Sequence, residues 1–221
     1  MASKETQEII SGARELGVTL SEQQGAALAE YLDILEVTNR SFNLTRIPRA
    51  DYLHLHVLDS LTAIEAIQSS PGMRILDIGT GAGFPGVPLA AALPNAQVTL
   101  LDATRKKVQF VAESAAKCGI KNCEGIHQRA EALARDRRYK GRYEVVVSRA
   151  VASFDLLFTL MAPFVAPGGR VIALKGAKVH QELEGTNELI KRLGFSEPRI
   201  VSVSLPGRDL ERYLVVVDRN P

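Results

Sequence analysis

The sequence lacks what would tie it to a membrane, a disulfide framework or a metal. None of its apolar stretches approaches the roughly 18 residues that a membrane-crossing helix requires. Its first 20 residues mix Lys4 and Arg14 with Glu5, Glu8 and Glu15 and hold no continuous apolar block, so they do not read as a secretory signal. The cysteines, Cys118 and Cys123, are too few for a disulfide framework, and neither has a metal ligand near it in sequence. His54 and His56 lie two apart, off a common helical face, while His127 and His180 are isolated. No metal is therefore expected, and the histidines read as structural or solvated. Internal repeats and low-complexity segments are absent. What remains is ordinary globular usage: 221 residues, 46% apolar and 24% charged. The expectation is a cytoplasmic protein, and a monomer, since no long exposed apolar seam can be read.

The net charge is only +2, but it is unevenly spread. Residues 1–36 carry seven acids, Glu5, Glu8, Glu15, Glu22, Glu30, Asp33 and Glu36, against Lys4 and Arg14. Farther on, Arg129, Arg135, Arg137, Arg138, Lys140 and Arg142 crowd one segment, with Glu131 and Asp136 as its acids. Arg105, Lys106 and Lys107 form a second cluster. Such clusters attract phosphate backbones, although a solvated loop with extra arginines looks the same in sequence.

Hydrophobic spacing divides the chain near residue 70. Ile9, Ile10, Ala13 and Leu16 mark a helix over 5–16 that Gly17 stops. Ser21 and Gln24 form a capping box before a second stripe of Ala27, Leu28, Tyr31, Leu32 and Leu35. Residues 41–48 read as a loop, and Leu53, Val57, Leu61 and Ile64 predict a third helix within 51–68. After the Pro71-Gly72 turn, β-branched runs alternate with helical segments. The runs are Arg74–Ile78, Val98–Asp102, Cys123–His127, Tyr143–Ser148, Val171–Lys175, Arg199–Ser204 and Arg212–Asp218. Crossovers of this length predict a parallel sheet. The short SLPGRDLE connection makes the last two strands antiparallel. The fold class is thus α/β: a doubly wound, seven-stranded, mostly parallel sheet over 71–221 with an α-helical extension over 1–70.

The segment LDIGTGAGFPG, residues 76–86, follows the first strand. Gly79, Gly81 and Gly83 suit a turn of positive φ that lets a ligand approach the backbone. The spacing also satisfies a dinucleotide pattern, because Gly81, Gly83 and Gly86 are followed by Asp102 at the end of the second strand. Spacing alone therefore leaves nicotinamide cofactors and other adenosine ligands both open. Charge separates them. Asp77, two residues before Gly79, would repel a pyrophosphate and attract the ammonium and sulfonium of S-adenosylmethionine, with Asp102 left to hold ribose hydroxyls.

Other strand ends add Arg129, Ala130 and Glu131 after the third strand, where an amide with an acidic neighbour could read an adenine edge or simply start a helix. Arg149 follows the fourth strand and Lys175 the fifth, flanking the substrate mouth. A structural salt bridge is the alternative for each. No Asp-Pro-Pro-Tyr motif for exocyclic amines, no Pro-Cys nucleophile and no evident general base is present. That inventory favours an acceptor with a free lone pair, such as guanine N7, whose methylation needs positioning and desolvation rather than deprotonation.

Together these motifs resemble the RsmG (GidB) family of bacterial 16S rRNA guanine-N7 methyltransferases. The resemblance runs from about residue 20 to the end and rests on FNLT (42–45), HVLDSL (56–61), DIGTGAGFPGVPL (77–89), LLDATRKKVQFV (100–111), SRAVAS (148–153), ALKG (173–176) and ERYLVVV (211–217). It implies a Rossmann-like class I methyltransferase fold. It also implies S-adenosylmethionine as cofactor, yielding S-adenosylhomocysteine, and N7 methylation of one guanine in the 530 loop of the small-subunit rRNA. By resemblance, Gly79 and Phe84 line the cofactor pocket, Ala130 and Glu131 contact adenine, and Arg149 sits with Lys175 at the methyl-transfer end. Lys106, Arg129, Lys175 and Arg212 are basic positions expected near RNA. Ala82 stands where the family often has proline, and the acidic first 20 residues resemble it least. A methyltransferase of another RNA or of a small molecule is the alternative.

Overall fold

The computed structural model describes residues 2–149 and 152–221. Ala150 and Val151, in the middle of the SRAVAS motif, lie outside the described residues.

Two helices open the chain. Helix α1 (Lys4–Glu15) is capped by Ser3, whose hydroxyl accepts from Thr6 N–H, and Gly17 leaves it at φ 73°. Helix α2 (Glu22–Asn39) starts at the expected capping box, with Gln24 N–H donating to Ser21 Oγ at 3.2 Å and Ser21 N–H to Gln24 Oε1 at 2.7 Å. The third helix is not regular. Residues 49–66 pass from a 3-10 turn (Arg49–Asp51) into a π-helical stretch (Leu53–Leu58), one α-turn (Asp59–Leu61) and another 3-10 turn (Thr62–Ala66). The cause is local. The Leu55 carbonyl accepts from Arg149 Nη1 at 2.6 Å, and the hydroxyls of Ser60 and Thr62 donate to the carbonyls of His56 and Asp59. A side chain that captures a carbonyl opens the i→i−4 ladder and widens the helix there.

The remainder is one seven-stranded sheet. Its strands are β1 (Arg74–Ile78), β2 (Gln97–Asp102), β3 (Cys123–His127), β4 (Tyr143–Ser148), β5 (Val165–Lys175), β6 (Arg199–Val203) and β7 (Arg212–Asp218). Their order is β3-β2-β1-β4-β5-β7-β6, with β7 antiparallel to both neighbours. The expected doubly wound sheet with one reversed strand is what forms. Strand β5 begins six residues earlier than the expected Val171, crossing Pro167-Gly168-Gly169 at a register shift opposite β4. That breaker-rich run conceals a strand because Gly169 is pressed on the carbonyl of Glu144, where a Cβ would come within 2.8 Å.

Alternate residues of each strand feed two apolar layers, as period-2 geometry requires. Ile75, Leu100, Val145 and Val216 face one layer, which is continuous with Ile9, Leu28, Tyr31 and Leu35 of α1 and α2. Leu76, Leu101, Val146 and Val215 face the other, closed by the helix Phe154–Met161 and by Ile190 and Phe195. The helices before residue 70 thus bury their stripes on the same core as one face of the sheet. No described helix is long and apolar enough to cross a membrane.

Candidate functional site

The carboxyl ends of the parallel strands carry the site, where backbone amides and loops converge above an open sheet. The turn after β1 has Gly79, Gly81 and Gly83 at φ 73°, 58° and 95°. These glycines do different things. Gly79 is exposed, and a Cβ there would meet nothing within 4 Å, so its backbone is open to a ligand. Gly83 is buried, and a Cβ there would strike the Tyr31 hydroxyl at 2.3 Å. Tyr31 on α2 in turn donates to the Ala82 carbonyl at 2.9 Å, fastening the loop to the N-terminal helices.

The two acids beneath the loop serve its amides. Asp77 is fully buried and its Oδ2 accepts from Gly86 N–H at 2.8 Å. Burial pushes its carboxyl up to about 6, against the opposing pull of Thr80, the Gly86 amide and Arg149. Its Oδ1 and the Thr80 hydroxyl are buried with no hydrogen-bond partner of ordinary geometry. Asp102 accepts from Gly81 N–H at 3.0 Å through Oδ2 and from Thr104 N–H at 2.8 Å through Oδ1. Asp77 therefore lies under the loop rather than in the cavity wall. A ligand in that cavity would meet it only through its field and through the loop it shapes.

Three cavities adjoin across these strand ends. One of about 270 Å³ lies over β2 and β3, lined by Gly79, Asp102, Ala103, Arg129, Ala130 and Glu131 among others. A second, about 390 Å³, lies over the glycine turn, between Gly79, Gly81 and Phe84 on one side and Thr45, His56 and Arg149 on the other. A third, about 270 Å³, lies over β4, β5 and β7, lined by Asp59, Arg149, Lys175, Gly176, Glu182 and Arg212 with Leu174. Asp59, Arg149 and Arg212 line both the second and the third.

Arg149 is the hub. Its Nη1 donates to the Leu55 carbonyl at 2.6 Å and to Asp59 Oδ2 at 3.1 Å, and its Nη2 donates to His56 Nδ1 at 3.0 Å. The guanidinium lies 5.4 Å from the Phe84 ring centroid. Because arginine only donates, His56 Nδ1 is an acceptor and Nε2–H points at Thr45 Oγ1, 3.0 Å away. Burial, with the Arg149 charge second, drives the His56 pKa down to about 3, so the ring is neutral. Buried Asp59 completes the cluster by accepting from Arg212 Nε at 2.8 Å through its other oxygen. Lys175, also buried, donates to Glu182 Oε2 at 2.6 Å and to the Ala152 carbonyl at 2.9 Å.

Arg149, Lys175 and Arg212 thus share one cavity, each paired with a carboxylate. Lys106 stands apart, 5.6 Å from the Phe42 ring centroid in a different groove, and exposed Arg129 borders the first cavity. Sequence reasoning gave no role to Tyr31, Thr45, His56, Asp59 or Glu182. His56 and Asp59 were within reach, since HVLDSL holds both on the face that meets Arg149. Among the described residues no group of histidine, cysteine and carboxylate side chains gathers as a metal site.

Solved structures with this architecture include a precorrin-6y C5,15-methyltransferase from Geobacter metallireducens, with TM-score 0.54, 12% identity and coverage of 72% of this chain and 87% of that one. A ribosomal protein L11 methylase from Lactobacillus delbrueckii gives TM-score 0.54 at 17% identity over 74% and 78%. At these identities the likeness is one of fold. Sequence relatives go further. The ribosomal RNA small subunit methyltransferase G of Alkaliphilus oremlandii is 37% identical over 209 residues, 94% of this chain and 87% of its own. That of Lachnoclostridium phytofermentans is 38% identical over 211 residues, 95% and 87% of the two chains. The model of the GidB family, rRNA small subunit methyltransferase G, matches residues 24–211. With the glycine turn, the Arg149 cluster and the sheet order in place, this chain belongs to the GidB family of ribosomal RNA small subunit methyltransferases.

Proposed function

We propose that the protein transfers a methyl group from S-adenosylmethionine to N7 of one guanine in the 530 loop of 16S rRNA in the small ribosomal subunit. The observation that carries this reading is the Arg149 cluster. It stands where the cofactor-side cavity opens into the next one, and its histidine is held neutral with its basic nitrogen already occupied. Such a site holds and orients without taking a proton. Guanine N7 presents a lone pair and asks for nothing more.

The residues fit the cofactor. The open backbone of Gly79 and Gly81 would take the amino-acid end, with Gly83 and buried Asp77 shaping the loop beneath. Asp102 would take the ribose hydroxyls, and Ala130 and Glu131 the adenine edge. Phe84 would wall the side nearest Arg149. When bound, S-adenosylmethionine supplies a methyl on a sulfonium, which the N7 lone pair takes as the carbon–sulfur bond breaks and its electron pair stays on sulfur. Arg149 and Lys175 position the acceptor at that end. Exposed Arg129 and Lys106 would offer cations to the RNA backbone on the outside, while Arg212 and Lys175 would meet RNA within the third cavity. The displacement balances without a metal. We further propose that residues 1–70 are a helical extension serving the methyltransferase domain 71–221, and that the protein works as a cytoplasmic monomer.

The test is transfer of labelled methyl to small subunits lacking their N7-methylguanines, followed by chemical cleavage at N7-methylguanine. A single strong stop in the 530 loop is expected. Label without that stop would move the reaction to another site or RNA, and no label at all would move it to a small-molecule acceptor.

A further inference from the structure

The third cavity has a composition that an RNA phosphate does not explain. Its three cations are Arg149, Lys175 and Arg212, and its two carboxylates are Asp59 and Glu182. Each cation is hydrogen-bonded to one of those carboxylates. An anion placed here would face both acids as well as the cations. A neutral ligand with acceptors along one edge and donors along the other would find partners on both sides. Asp59, Arg149 and Arg212 form the side shared with the cofactor-side cavity, while Lys175, Gly176 and Glu182 form the far side.

We propose that this cavity is the pocket for the target guanine, and that Glu182 reads its N1–H and 2-amino group; the inference rests on the guanine-N7 reading above. A guanine entering with its N7 and O6 edge toward Arg149 turns its pyrimidine edge toward Glu182. The Glu182 carboxylate spends Oε2 on Lys175, and its side chain keeps 30% of its surface exposed, which leaves it able to accept from outside. Two adjacent donors, N1–H and N2–H, match two carboxylate oxygens. Adenine would set the N1 lone pair against the same carboxylate, and pyrimidines lack an N7. As N7 takes the methyl, the base gains positive charge and its N1–H becomes more acidic. The bond to Glu182 then strengthens toward the transition state, so its loss should lower kcat as well as raise KM. Lys175 is the positioning residue that fixes the carboxylate.

The experiment compares small-subunit rRNA carrying guanosine or inosine at the methylated position, since inosine lacks only the 2-amino group. Both RNAs are presented to the parent and to Glu182→Gln. Two readings are taken: single-turnover methyl transfer, and binding to enzyme loaded with S-adenosylhomocysteine. The parent should lose about 10- to 100-fold with inosine, the value of one hydrogen bond to a charged group. Glu182→Gln should lose a similar factor with guanosine and nothing further with inosine. Equal handling of guanosine and inosine by the parent overturns the assignment without reference to any variant. So does an inosine penalty in Glu182→Gln as large as the parent's. Failure of the parent to methylate the guanosine RNA at all would instead overturn the N7 reading on which the assignment stands. Unchanged S-adenosylmethionine affinity in Glu182→Gln shows that the cofactor cavity and the fold are intact.

Discussion

His56 lies flat against Phe84, with ring centroids 4.2 Å apart and planes inclined by 10°. One ring comes from the π-helical stretch and the other from the glycine turn, so a single stacked pair joins the element that holds Arg149 to the loop proposed to face the cofactor. Displacing either ring should disturb the glycine turn and the Arg149 cluster at once.

Arg149→Ala should separate activity from folding. The variant keeps the Asp59–Arg212 pair and loses the bonds to Leu55, Asp59 and His56 together with the contact on Phe84. Methyl transfer should fall on the order of 100-fold, as misplacement of a reacting partner does. Stability should drop by about 2 kcal/mol for the buried groups left without a donor. Single-turnover assays beside thermal melts read the two effects. Full activity with lowered stability would take Arg149 out of the reaction.

Acid should act on His56 and Asp77 in opposite directions. The folded His56 pKa of about 3 lies below its ordinary 6.5. The unfolded chain therefore binds a proton that the folded chain refuses, and stability falls as pH drops through that window. The slope is at most about 1.4 kcal/mol per pH unit. Asp77, raised from 3.8 to about 6, binds its proton more readily when folded, so acid stabilises the fold between those values. His56→Gln removes only the first effect. Relative to the parent, the variant should gain stability as pH falls from 6 to 4. Denaturant titrations at three pH values measure this, and parallel curves would mean that His56 is protonated in the folded protein.

Gly79→Ala and Gly83→Ala should fail differently. Both positions have positive φ, which costs about 1–2 kcal/mol for a residue with a Cβ. Only at Gly83 does the new methyl meet the Tyr31 hydroxyl, at 2.3 Å, and Val87 at 2.9 Å. That variant should lose about 3 kcal/mol or more as the loop parts from α2. Gly79→Ala should lose only that backbone cost of about 1–2 kcal/mol, since its methyl meets nothing within 4 Å, while binding S-adenosylmethionine more weakly. Melting curves and titration calorimetry on both variants would expose any exchange of these roles.

Arg49→Gln tests the acidic N-terminal region. Arg49 holds Glu5 at 2.7 Å, Asp33 at 2.8 Å and Glu36 at 3.2 Å, so one cation draws together three of the seven early acids. The pairs are partly exposed, and the cost should be about 1 kcal/mol, or roughly 2–4 °C in Tm. Added salt should recover much of it by screening the abandoned carboxylates. A salt-independent loss would point to packing instead.

Much of this architecture was legible because its signals are local. The Ser21–Gln24 box, the glycine turn and four of the seven strands stand where spacing put them. The irregular helix over 49–66 was not legible, because its cause is Arg149, about 90 residues downstream, drawing on a carbonyl. The start of β5 was hidden by a Pro-Gly-Gly run that only the neighbouring strand explains. At the site, sequence supplied the cations but not their partners. Lys175 and Arg212 look like free charges in one dimension. In the fold each is matched to an acid, Glu182 from a short helix and Asp59 from the opposite end of the chain. Asp77 shows the converse: its carboxylate was expected to face a ligand, and it instead serves the Gly86 amide.

Strand β7 is the last of the seven to leave the ribosome, yet it sits between β5 and β6 and carries Arg212 to Asp59. During synthesis β6 has no edge to pair with, and the Arg149 cluster stays open, until that final strand slots in. The Arg212–Asp59 contact, and with it that wall of the third cavity, exists only once β7 lies between β5 and β6. A chain interrupted upstream of β7 would carry the glycine turn and lack the Arg212 wall across from it.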